Sequence, residues 1–145
     1  MKKIFILTLC LVSVLFACNT MKNGSKKNGA SKLDGTWELD YISGPRIAFD
    51  GLYPNKKPTL VVNTAEKRIS GNSSCNNYNG PLVVDGHNIS FKGPIASTKM
   101  ACLNGGNGEA VYFKTLETVT SYDVVGDTTL NLIMGDIAVM RFKKK

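Results

Sequence analysis

The sequence holds a single histidine, and this scarcity limits the chemistry that the chain can carry out. His87 follows Asp85 and Gly86, a pair of residues typical of a tight turn. A Ser-His-Asp triad would therefore have to form around a hairpin tip. A hydrolase would need a cluster of catalytic groups around His87, and the sequence offers none, so we expect a non-enzymatic protein without a cofactor.

The sequence also lacks an apolar run long enough to cross a bilayer. Residues 4–16 are almost entirely apolar, but a transmembrane helix needs about 20 such residues. The run follows Lys2 and Lys3 and is followed at once by polar residues, which is typical of an export signal. We therefore interpret residues 1–17 as a signal peptide.

The residues at the end of this signal resemble the lipobox of bacterial lipoproteins, with Leu15, Phe16 and Ala17 directly before Cys18. The resemblance implies cleavage before Cys18 and acylation of its thiol. The alternative is an ordinary thiol at the end of a plain secretory signal. Asn19 is not the acidic residue that retains lipoproteins in the inner membrane, so we expect an envelope protein in the outer membrane, facing the periplasm.

The positive charge lies mostly outside the predicted domain. The chain has a formal net charge of +7, but all 11 acidic residues and only nine of the 18 basic residues lie within residues 33–142. The other nine are in the leader, in the polar tether of residues 18–32 and in a basic tail, residues 143–145. Nucleic acid is therefore not an expected partner. The tether lysines would contact anionic headgroups or simply remain solvated.

Cysteine is scarce in the predicted domain, which contains only Cys75 and Cys102. Two thiols within reach of each other tend to form a disulfide in an oxidising compartment. We therefore predict a disulfide between Cys75 and Cys102. The alternative is a zinc site with His87, but the spacing matches no structural zinc pattern, and we expect no metal.

From residue 33 onward, short alternating runs separated by turn residues predict a domain that is mainly β. The exception is a helical pattern over residues 108–119, with Asn107 as its cap. Residues 46–58 and 72–80 are predicted loops. The predicted strands are residues 33–43, 59–63, 68–71, 82–84, 88–91, 121–125, 129–134 and 137–142. This order favours a small antiparallel β-barrel or roll with one helix.

Three stretches of the domain resemble the META domain family, which is also called HslJ-like. They are Gly35–Leu39 (GTWEL), Ile69–Gly80 (ISGNSSCNNYNG) and Gly93–Cys102 (GPIASTKMAC). The resemblance implies a compact barrel-like fold in which Cys75 and Cys102 are neighbours. Family members are associated with heat-shock expression, novobiocin resistance and, in some parasites, virulence or motility. These associations name no substrate or reaction.

We therefore expect a monomeric lipoprotein that is anchored to the membrane by its N-terminal lipid. It would contribute to stress or drug tolerance by binding a partner protein or peptide in the envelope. The candidate binding surface is Asn76, Asn77, Tyr78 and Asn79, whose amide and phenol groups suit adaptable polar contacts. Two alternatives stay open: a motif whose Cys75 and Tyr78 pack inward, and a β-barrel that binds a small molecule or glycan.

Overall fold

The computed structural model describes residues 32–46, 48–102 and 106–145. The expected signal peptide, Cys18 and the tether up to residue 31 lie outside the described residues. The elements in chain order are β1 (Gly35–Ile42), α1 (Phe49–Leu52), β2 (Thr59–Asn63), β3 (Arg68–Asn72), β4 (Asn77–Pro81), β5 (Val83–Asp85), β6 (Asn88–Ser90), β7 (Ala96–Ser97), α2 (Gly106–Thr118), β8 (Ser121–Val125), β9 (Thr129–Met134) and β10 (Ile137–Lys144).

The strands form one antiparallel sheet in the order β5-β6-β8-β9-β10-β1-β2-β3-β4-β7. β4 and β5 lie near opposite ends of this order, yet only Leu82 separates them in the chain. Because one residue bridges the two ends, the sheet has to curl, and the Leu82 N–H donates to the Lys67 carbonyl at 2.9 Å. The fold is thus a curled half-barrel, and the predicted class, mainly antiparallel β, is confirmed.

Strand alternation in β1 directs Trp37 and Leu39 into the core. The register with β10 then shifts between Leu39 and Tyr41, so the alternation is interrupted by a β-bulge. Tyr41 therefore points outward with 42% exposure, whereas Ile42 is buried. Strict alternation over residues 33–43 would place Tyr41 on the same face as Trp37, and the bulge reverses the direction of the Tyr41 side chain.

The inner face of the curl is filled by side chains. α2 lies against it and buries Tyr112 and Leu116 completely. The other large side chains with less than 2% exposure are Trp37, Phe91, Phe142, Leu33, Leu39, Leu60, Ile69, Leu130, Leu132 and Met140. A small-molecule site in the interior of the barrel would have to displace this packing.

Three elements depart from the predicted pattern: α1 lies in the predicted loop of residues 46–58, β4 begins in the predicted loop of residues 72–80, and β7 lies where the sequence predicts no strand. β4 contains Asn, Gly and Pro, which have low strand propensity, and forms through its pairing with β3.

The expected basic tail is largely part of the sheet. Lys143 and Lys144 extend β10 beside Glu38 and Trp37.

The barrel has two ends that differ in their relation to the tether. At the proximal end, the Lys32 ammonium contacts Asp127 at 2.9 Å, and the Asp34 carboxylate accepts hydrogen bonds from Thr64. The distal end carries the turn between β9 and β10. β1 connects the two ends, and eight extended residues span ~26 Å.

Among the described residues, no helix has the length and hydropathy needed to cross a membrane.

Candidate functional site

A disulfide joins the turn between β3 and β4 to the segment that follows β7. The Cys75 and Cys102 sulfurs are 2.08 Å apart and their Cα atoms 5.8 Å apart. This is the pairing that the sequence predicts. Because both sulfurs are engaged in the disulfide, neither can bind zinc, and no metal-binding group of three side chains occurs in the described part of the chain.

Asn76 is the centre of the polar network beside this disulfide, and only 3% of the residue is exposed. Its Oδ1 accepts a hydrogen bond from the Thr98 hydroxyl and one from the Met100 N–H, each at 2.8 Å. Its Nδ2 donates to Oε1 of Glu109, in the first turn of α2, at 3.2 Å. One amide thus ties together the β3–β4 turn, the segment after β7 and the helix.

The Glu109 carboxylate receives two further hydrogen bonds from the same turn. The fully buried Ser73 hydroxyl donates to it, and so does the Asn76 N–H, at 3.3 Å. No buried side-chain nitrogen or oxygen among the described residues lacks a hydrogen-bond partner. These three hydrogen bonds hold the Glu109 carboxylate against the turn of the Ile69–Gly80 motif, so the network stabilises the packing of α2 on that motif.

Tyrosine hydroxyls continue the network into the core. The Tyr78 hydroxyl donates to the Thr59 carbonyl at 3.0 Å, so the Tyr112 hydroxyl, 2.7 Å away, must donate to Tyr78. Burial raises the pKa of Tyr78 and that of Tyr112 well above their ordinary value, and it raises the pKa of Tyr53 to about 12. These phenols therefore stay protonated at neutral pH and act as hydrogen-bond donors.

The candidate surface of Asn76, Asn77, Tyr78 and Asn79 does not exist as one surface. Tyr78 has only 3% exposure, as has Asn76, so the surface prediction is wrong for these two residues. The physical reason is that residues 77–81 form a strand, in which alternate side chains point to opposite faces. Only Asn77 and Asn79 lie on the outer face, where both are exposed.

The outer face of β3 and β4 carries the exposed part of the motif, and we call Arg68, Ser70, Asn77 and Asn79 the amide face. The Asn77 Oδ1 accepts from the Asn72 Nδ2 at 3.0 Å, and the Asn79 Oδ1 accepts from the Arg68 Nη2 at 3.3 Å. Within the described residues, neither Nδ2 group of these two asparagines has a partner. The face therefore presents two oriented amide donors beside a guanidinium group.

A shallow groove of about 190 Å³ extends the amide face across β2. Its lining includes Val61, Asn63 and Glu66 together with Arg68 and Ser70. The sequence gives no signal for this groove, because it depends on the register that pairs Val61 with Ser70. The groove adjoins the amide face, because Arg68 and Ser70 belong to both.

Among the described residues, His87 contacts neither the Asn76 network nor the amide face. It lies in the exposed turn between β5 and β6, and its carbonyl accepts from the Tyr122 N–H at 3.0 Å. Its ring packs at 6.2 Å from the Tyr122 ring. The backbone hydrogen bond ties the turn to β8, and the exposed imidazole lies beside the Tyr122 ring.

The comparisons with known proteins agree with this architecture. A family model for the META domain matches residues 30–145. No curated protein matches the chain. The chain is similar to an NMR structure of a protein from Burkholderia xenovorans, with 25% identity over 80% of this chain and 86% of that one, and a TM-score of 0.61.

Two further solved structures share the fold at lower identity. A second NMR structure is 19% identical over 76% of this chain and 88% of its own, with a TM-score of 0.53. A crystal structure of a DUF4847 family protein from Bacteroides vulgatus is 14% identical over 77% and 93%, with a TM-score of 0.52. Because the family model spans most of the sequence, the chain belongs to the META domain family.

Proposed function

We propose that this protein is a non-enzymatic, lipid-anchored envelope protein whose META domain binds an extended segment of a partner protein through the amide face. One observation carries the proposal. The oxygens of Asn77 and Asn79 accept hydrogen bonds within the sheet, and among the described residues their two exposed Nδ2 groups have no acceptor, so both could donate to a bound segment. Asn76 makes hydrogen bonds within the fold, whereas Asn77 and Asn79 are exposed.

The spacing of these donors favours an extended peptide. Asn77 and Asn79 are two residues apart on one strand face, which places their side chains ~7 Å apart. Carbonyl groups on one side of an extended chain repeat at the same distance. The guanidinium group of Arg68 adds a charged donor for a carboxylate, and Ser70 lies opposite Asn79 in the register.

The rigidity of the motif supports a binding role. The disulfide at Cys75 and the four side-chain contacts of Asn76 fix the start of β4. A partner would therefore meet a surface that is already ordered. Preorganisation of this kind lowers the entropic cost of association.

The anchor in this proposal is an acylated Cys18, and it would attach the domain through its proximal end. A linker with the composition of residues 19–31 would reach roughly 20 Å. The amide face lies on the side of the sheet, so attachment by the proximal end would leave it accessible. In the envelope, the bound partner would be one that contributes to stress or drug tolerance.

In-cell photocrosslinking tests the proposal. A benzophenone amino acid replaces Ser70 in the full chain, and the matched control replaces Asp123, an exposed residue on β8. We expect a specific adduct with an envelope protein at position 70 and none at position 123. Identical adducts at both positions, or no adduct under heat or drug challenge, would overturn the proposal. Mass spectrometry of the mature amino terminus tests acylation of Cys18 separately.

A further inference from the structure

An apolar groove of about 380 Å³ lies at the distal end, between α2 and the β9–β10 hairpin. Val111, Thr115 and Thr118 recur along one stripe of α2 and form one wall. Met134 and Val139 form the opposite wall. Ser43, Gly44 and Pro45 complete the lining, and apolar atoms provide most of its exposed surface, so the groove can accept an apolar side chain.

The hairpin tip beside this groove is unusually apolar for a turn. Met134 is 42% exposed and Ile137 is 61% exposed, and between them lie Gly135 and the exposed Asp136. Two exposed apolar side chains therefore flank one carboxylate. A groove with an apolar lining and one cation could bind a tip of this kind, because the apolar side chains would contact the lining and the carboxylate would pair with the cation.

The groove supplies that cation, since Lys114 is part of its lining. Within the part of the chain that the structure describes, Lys114 and Asp136 each lack an ion pair or side-chain hydrogen bond, and both are exposed. The tip of one molecule and the groove of another are therefore complementary in both charge and apolar character.

We propose that two copies of this chain associate through their distal ends, with the hairpin tip of each copy in the groove of the other. Met134 belongs to the tip and to the groove wall, so the two halves of the contact are adjacent. Adjacent complementary features form a self-complementary patch, which a two-fold axis satisfies in both directions. Lys114 of one copy then pairs with Asp136 of its partner.

The contact is small beside the ~800 Å² that each partner buries in a standard stable interface. The dimer is therefore weak in solution, and attachment to a membrane would favour it by raising the effective concentration. This inference departs from the monomer expected from the sequence. It is independent of the proposed function, because the amide face lies on β3 and β4 and stays open in the dimer.

Charge exchange tests the dimer. Sedimentation velocity of the full chain in mild detergent, over a wide concentration range, is compared for the wild type, Lys114→Asp, Asp136→Lys and the double variant. We expect a concentration-dependent dimer for the wild type, a loss of at least tenfold in association for each single variant, and recovery in the double variant. Because both side chains are exposed, circular dichroism should show an intact fold in all four proteins.

A zero-length carbodiimide crosslink provides the second measurement. In a mixture of 15N-labelled and unlabelled chains, we expect a mixed-isotope peptide pair that joins Lys114 to Asp136. A wild type that stays monomeric at every concentration, or single variants that associate like the wild type, would overturn the proposal. Photocrosslinking at position 70 in the Lys114→Asp variant keeps the two proposals apart, because partner capture should not change.

Discussion

Tyr78 and Tyr112 share a hydrogen bond in the interior of the domain, with their hydroxyl oxygens 2.7 Å apart. Tyr78 comes from the family motif and Tyr112 from α2, so the bond joins the sheet to the helix across the core. The Tyr78 hydroxyl also donates to the Thr59 carbonyl of β2. The two phenols thus form a short relay with a defined direction.

The direction of this relay predicts that the two tyrosines contribute unequally to stability. Tyr112→Phe removes one donor and should lower the free energy of unfolding by ~1 kcal/mol. Tyr78→Phe leaves the Tyr112 hydroxyl and the Thr59 carbonyl without their partner and should cost roughly 2–3 kcal/mol. Urea unfolding of both variants measures the difference, and equal losses would contradict the assigned direction.

The buried phenols also predict a loss of stability at alkaline pH. The pKa of Tyr53 is raised to about 12, and the pKa values of Tyr78 and Tyr112 are raised as well. The folded state therefore holds these protons more tightly than the unfolded state, whose tyrosines titrate near pH 10. Their contribution is complete below pH ~10 and declines as the pH rises towards 12.

Thermal unfolding between pH 8 and pH 12 measures this decline, together with the absorbance of phenolate. Phenolate from the buried tyrosines should appear with unfolding. Its appearance in a domain that is still folded would be inconsistent with the hydrogen-bonded relay.

Asn76 and Asn77 are neighbours for which the same substitution should have effects of very different size. Asn76→Ala removes the buried amide that binds Glu109, the Thr98 hydroxyl and the Met100 N–H together, so we expect a loss of roughly 2–3 kcal/mol. Asn77→Ala removes one acceptor of the Asn72 Nδ2, which keeps the Cys75 carbonyl as a partner, so the loss should stay below ~1 kcal/mol. Chemical denaturation of the two variants gives the comparison, and a loss of similar size at Asn77 would disprove the division of the motif.

The disulfide should stabilise the domain measurably. Cys75 and Cys102 are 27 residues apart, and closing a loop of this size contributes ~3–4 kcal/mol by the chain-entropy estimate. We therefore expect a C75S/C102S variant to unfold at a clearly lower urea concentration than the oxidised protein. The reduced wild type provides the control, since it should unfold close to the variant. An unchanged midpoint in both would rule out this contribution.

The local sequence predicts much of the sheet. The extended runs predicted between turn residues over 59–63, 121–125 and 129–134 have the bounds of β2, β8 and β9 as they occur, and β2 and β9 bury alternate apolar residues. The resemblance to the family and the presence of only Cys75 and Cys102 in the domain indicate that a disulfide joins the Ile69–Gly80 motif to the Gly93–Cys102 stretch. These features depend on side chains that are close together in the sequence.

The parts that could not be predicted depend on pairing between distant segments. β4 has few residues that favour strands, so it is defined by its register with β3 rather than by its own sequence. Unless residues 77–81 are known to form a strand, the sequence does not show which side chains of the motif are buried. The structure buries Asn76 and Tyr78 and exposes Asn77 and Asn79. The bulge in β1 and the groove beside Ser70 likewise arise from register.

Partner capture by a double variant of the amide face tests the central proposal most directly. N77A/N79A is introduced into the full chain that carries the photocrosslinker at position 70, and the adduct yield is measured in cells beside the unfolding midpoint of the purified protein. The proposal predicts that the yield falls to the level of the position 123 control while the midpoint falls only slightly, because the Asn72 Nδ2 keeps the Cys75 carbonyl as a partner. An undiminished adduct with an intact fold would contradict it.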